Sequence, residues 1–156
     1  MTLLDLTLTA TAQASMTTPA GQVCVTKAGQ DNLFEINAAN IALSLGKSQA
    51  VKDHARRMIT DHTRLGDDVK AALNGTNLTP PTVSPDQQRM LDLLKLSGPA
   101  FDAIYTQMMV MSHDDTYTVF QSYAKVGQTA SLKSVIGGAL PTVKMLWDMA
   151  KHLPST

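Results

Sequence analysis

Glu35, His62 and His113 are the residues of this sequence best suited to joint chemistry. Their positions place one residue on each of three different helices. Two imidazoles and a carboxylate make a donor set for zinc or iron(II), with a further position open to water. Asp61 and Asp102 could then hold the ring N–H groups as outer partners. The same residues carry a plainer reading, in which neutral core histidines hydrogen-bond to Glu35 and Tyr105 and fix helix register as one buried polar cluster. Under both readings at least two of the three meet across helices, because a buried carboxylate without a donor is costly.

Met58/His62, Met109/His113 and Met145/Met149 are each i, i+4 pairs. Met58, His62, Met109 and His113 form an alternative soft-donor set suited to copper(I). Inward-facing methionine is also ordinary core filling. The ferritin-type di-iron pattern is absent, since it needs carboxylates from two helices and a Glu-x-x-His from each of the other two. Glu35 is the only glutamate among 13 acidic residues, and no Asp-x-x-His occurs. Asp148 and His152 read as a helix-end pair, and Lys52, Arg56 and Arg57 as a small solvated basic face. Gly137-Gly138 falls inside a helix, so it is no phosphate loop. No nucleophile–base motif occurs, and no catalytic residue is assigned.

The elements that must position these residues follow from periodicity and stops. A first helix is expected from Val23 to Leu45, with Leu33, Ile36 and Leu43 beside Phe34, Ala38, Ile41 and Leu45 as two adjoining stripes. Gly46-Lys47-Ser48 ends it, and Ser48 caps a second helix from about Gln49 to Leu73. Val51, Ala55, Met58, His62, Leu65, Val69 and Leu73 point inward there. Asn74-Gly75 stops that helix. Thr76 to Pro85, with Pro80, Pro81 and Pro85, reads as an extended crossover. A third helical region starts near Asp86, breaks at Ser97-Gly98-Pro99 with Ser97 as a cap, and runs on to about Lys125. A fourth, from about Ala130 to Leu153, should kink around Gly137, Gly138 and Pro141. No segment alternates as a strand. The expectation is an all-α four-helix bundle over residues 22–154 with a long crossover between its second and third helices.

Composition narrows the function classes. The chain has 156 residues, 44% of them hydrophobic and 17% charged, which suits one well-packed domain. Lys+Arg and Asp+Glu balance at 13 each, which excludes a strongly basic nucleic-acid binder. Aromatic residues at 4% are too few for a base-stacking surface. The lone Cys24 in Val23-Cys24-Val25 reads as a small buried hydrophobe. Residues 1–21 read as a tail or an export-signal remnant, since Ala12-Gln13-Ala14 has the small-x-small form of a signal-peptidase site. The expected location is therefore the periplasm or cell envelope. No apolar run is long enough to span a membrane.

Phe101-Asp102-Ala103-Ile104-Tyr105 followed by His113 resembles the "FDxxY…H" signature of a bacterial family of unknown function, domain of unknown function 4142. Arg57-Met58-Ile59-Thr60-Asp61-His62-Thr63 is similar to its "rMvxDHt" motif, and Ala139-Leu140-Pro141-Thr142-Val143 to its "LPxL". Glu35 falls at the Glu of its "aEve" segment. The resemblance covers roughly residues 22 to 153. It implies a ferritin-like bundle, and members often carry export signals and an outer-membrane-protein label. The chain departs from the pattern at Leu146, where the family usually has a His, and at Cys24 and Asn37. The lost His removes one potential metal ligand. Two function classes follow. One is a non-enzymatic envelope or stress-related binding bundle, with a protein partner or self-association. The other is a metal-binding protein or metal-dependent oxidase built on Glu35, His62 and His113.

Overall fold

A computed structural model describes residues 19–75 and 81–154; Ala12-Gln13-Ala14 and the Thr76–Pro80 part of the crossover lie outside them. Five α-helices and one 3₁₀ turn make up the described residues, which contain no strand. They are α1 (Pro19–Leu45), α2 (Gln49–Ala72), α3 (Pro85–Lys95), the 3₁₀ turn Gly98–Ala100, α4 (Phe101–Val126) and α5 (Ala130–Lys151). The first helix starts ahead of the expected Val23, and so takes in residues assigned to the tail. None of these helices is long and apolar enough to cross a membrane.

Local chemistry sets the ends. The Ser48 hydroxyl accepts from the Val51 N–H and caps α2 as expected. Gly75 takes a left-handed φ of 79° just beyond that helix, the conformation that only glycine adopts without a Cβ penalty. Ser84 and Gln87 form a reciprocal capping box, so α3 begins at Pro85 rather than Asp86. The expected break at Ser97-Gly98-Pro99 is present, and Gly98 turns the chain at φ 54°. Ser97 does not cap the following turn, however. Its hydroxyl donates back to the Leu94 carbonyl at 2.6 Å and closes α3 instead. The last helix runs continuously through Pro141, whose missing N–H leaves the Gly137 carbonyl without that partner.

The four long helices form a closed square, α1 against α2, α2 against α5, α5 against α4 and α4 against α1. Short connections make α1/α2 and α4/α5 antiparallel pairs. The side-chain bonds Ser112 to Glu35 and Thr116 to Asp31 show that α1 and α4 are antiparallel too. It follows that α2 and α4, which the crossover and α3 join, run parallel across a diagonal. One long crossover in a four-helix bundle is compatible with a ferritin-like arrangement. Two apolar clusters fill the interior. One gathers around Phe34, Met58, Phe101, Tyr105, Met109 and Leu146, and the other around Val25, Phe120, Leu132 and Ile136. Cys24 belongs to the second cluster, and burial pushes its thiol up to about 11.

Candidate metal centre

Each of the three candidate residues comes from a different helix, Glu35 from α1, His62 from α2 and His113 from α4. Their side chains are 0%, 1% and 0% exposed, so whatever they do happens away from bulk water. One ligand atom from each lies within 4.8 Å of the others. His62 Nδ1 stands 3.1 Å from Glu35 Oε2, and His113 Nδ1 stands 3.4 Å from Glu35 Oε1. The two imidazoles meet edge to face with centroids 5.5 Å apart.

What holds the side chains is as informative as what they face. Ser112, one residue before His113, donates its hydroxyl to Glu35 Oε1 at 2.7 Å. His62 Nδ1 is 3.0 Å from Asn32 Oδ1, and His113 Nδ1 is 2.8 Å from the Met109 carbonyl. An N–H on each Nδ1 satisfies both oxygens and fixes both rings as the tautomer with a free Nε2 lone pair. Three buried atoms are then left without hydrogen bonds: Glu35 Oε2, His62 Nε2 and His113 Nε2. Two others in the described residues, the Tyr123 hydroxyl and Trp147 Nε1, sit singly on α4 and α5.

Burial dominates the electrostatics. It raises the Glu35 carboxyl above its ordinary range, against the opposing pull of His62 and Ser112. It lowers His62, with Glu35 pulling the other way, and pushes His113 down to about 4 against its bond to Met109. At neutral pH the cluster is thus two neutral imidazoles beside a reluctant carboxylate, and a cation would relieve that carboxylate.

One turn before Glu35 on α1, Asp31 is also buried, and fully satisfied. It receives Lys27, Gln87 and Thr116 at 2.8–3.0 Å. With Ser112 and Thr116 facing Glu35 and Asp31, the α1/α4 seam is a polar ladder. Gln87 also belongs to the α3 cap, which ties that helix to the ladder.

Several expected partners sit elsewhere. Tyr105 bonds neither His62 nor His113; its hydroxyl pairs with His54 Nδ1 at 2.9 Å. His54 is buried, its Nε2 reaches the Leu146 carbonyl at 3.4 Å, and burial pushes it down to about 4. Asp102 does not hold a ring N–H either. Its carboxylate accepts from the backbone N–H groups of Lys47 and Ser48, both at 2.8 Å, and so clamps the α1–α2 turn to the start of α4. Those bonds outweigh burial and keep the Asp102 carboxyl below its usual range. Asp61 pairs with Arg57 on the surface of α2. Arg56 likewise pairs with Asp53, so the two arginines of the basic face sit in solvated pairs. His152 Nδ1 bonds the Asp148 carbonyl, while the Asp148 carboxylate takes Lys144 and Lys151. Met58 and Met109 are fully buried in the first apolar cluster, next to the site in sequence.

Asn32, Ser112 and His54 are the functional neighbours that the sequence did not single out. Helical spacing carried a signal for two of them. Asn32 lies one turn before Glu35, and His54 two turns before His62.

The chain matches the family described as a domain of unknown function (DUF4142) over residues 6–153. No curated protein and no solved structure matches it.

Proposed function

The chain belongs to the DUF4142 family, and from that premise we propose that it is a metal-binding helical bundle which holds one divalent transition ion on Glu35, His62 and His113. The observation that carries this reading is a coincidence of two independent features. The three residues close enough to share an ion also own three of the buried polar atoms that lack hydrogen bonds. Native interiors rarely leave such atoms unpaired. Two imidazoles and a carboxylate favour zinc or iron(II), and the carboxylate makes copper(I) on Met58 and Met109 the poorer match. Full burial of all three side chains supports storage or carriage of the ion rather than turnover of a bulky substrate. Protein purified without chelator and loaded with zinc or iron(II) is expected to retain a stoichiometric ion by elemental analysis. Glu35→Gln, His62→Ala and His113→Ala should each reduce it to background while circular dichroism stays helical. Wild-type protein that retains no ion after loading would overturn the reading.

For location we propose the cell envelope, on the strength of Ala12-Gln13-Ala14. Mass measurement of the native protein checks it. A chain beginning just after Ala14 in a periplasmic fraction is expected, and an intact chain found only in the cytosol would refute it.

A further inference from the structure

A cavity of about 150 Å³ lies among α1, α2, α4 and Pro81. Val25, Ala28, Leu65, Val69, Leu73 and Phe120 form much of its wall. Of these, Val25, Ala28, Leu73 and Phe120 are buried, so the space reaches into the second apolar cluster and is more than a surface dimple. Lys70, on the exposed side of α2, is the only charged residue lining it.

Two glycines shape the walls. A Cβ on Gly29 would stand 2.6 Å from the Pro81 ring, so glycine is what lets Pro81 pack against α1. A Cβ on Gly66 would stand 3.0 Å from Asn32 Nδ2, so glycine there leaves room for the Asn32 amide. Asn32 lines the cavity and also bonds His62 Nδ1 at 3.0 Å. It is the polar residue shared between the apolar space and the buried cluster.

We infer that this cavity is a binding site for a small neutral apolar molecule, of benzene size or below, and that its occupant bears on Asn32, the residue that positions His62. Volume and lining select the ligand class. Closed apolar cavities of about this volume take up benzene or xenon, and this one shares their volume and lining while opening to solvent beside Lys70. A wall without buried charge offers nothing to an ion. The inference concerns the metal-free protein and does not rest on the metal reading.

Benzene titrated into chelator-treated protein tests it, with the Asn32 side-chain amide followed by NMR. A saturable shift of that amide is expected. Val69→Phe, which fills the space from a partly exposed position, should weaken the binding about tenfold or more. Ala28→Leu fills it from the opposite wall and serves if Val69→Phe loses its fold. An Asn32 amide that does not move, a shift that never saturates, or equal titration of the wild type and a folded filled variant would each overturn the inference. Loss of metal binding in a separate assay would leave it standing.

Discussion

Taking the metal-free protein from about pH 7 to about pH 4.5 should cost about 2–3 kcal/mol of stability through His54 alone, at 1.36 kcal/mol per pKa unit. In the unfolded chain an imidazole titrates near 6.5, whereas burial between α2, Tyr105 and α5 pushes His54 down to about 4. Between those values the unfolded state binds more protons. The contribution is therefore complete above the unfolded pKa and is lost as the pH falls towards the folded one. His113 has the same sign and His62 the same direction. Glu35 and Asp31 act oppositely, because burial raises both carboxyls and a fall in pH relieves the cost of keeping them ionised. Whole-protein acid unfolding mixes the two signs, so the test compares wild type with His54→Gln. Glutamine offers Tyr105 and the Leu146 carbonyl a neutral partner that does not titrate. Urea unfolding at the two pH values should show the acid-induced loss shrinking by about 2–3 kcal/mol in the variant. An equal loss in both proteins would show that His54 does not titrate as its burial requires.

The pairing of His54 with Tyr105 shows where the sequence could be read and where it could not. Helix ends were legible because they depend on neighbours in sequence: the Ser48 hydroxyl, the left-handed Gly75, the Gly98-Pro99 break. Glu35, His62 and His113 were legible because the chain has one glutamate, His62 falls on an inward-facing stripe and His113 completes the Phe-Asp-x-x-Tyr…His signature. Which polar group meets which depends instead on the register between helices, and no local pattern states it. Tyr105 precedes His113 by eight residues, and His54 precedes His62 by eight, about 12 Å along a helix axis. Because α2 and α4 run parallel, the two pairs form separate levels, with Tyr105 beside His54 and His113 beside His62. Asp102 lies further still from His113, at the turn end of α4, and its carboxylate is spent on Lys47 and Ser48. The roles of Asn32 and Ser112 have no local signature for the same reason, since they arise only once α1 is set against α2 and α4.

Zinc at a hundredfold excess over its dissociation constant should stabilise the wild-type protein by about 2.7 kcal/mol, which for a chain of this size is a rise in Tm of roughly 5–11 °C. Glu35→Gln then separates the two roles open to the buried cluster. Burial already drives the Glu35 carboxyl towards its neutral form, and the amide has nearly the same shape. The Ser112 hydroxyl can donate to the amide oxygen as it donates to Oε1. A cluster that only fixes helix register therefore tolerates the change with little loss, since it keeps its hydrogen bond and sheds a reluctant charge. A metal centre does not, because a neutral amide replaces the one anionic ligand facing His62 and His113. The expected result is a metal-free Tm near the wild-type value in Glu35→Gln, with the zinc-induced rise abolished. A wild-type protein whose Tm is indifferent to both zinc and iron(II) would leave the three orphaned atoms as the cost of holding α1, α2 and α4 in register, and the metal reading would fall.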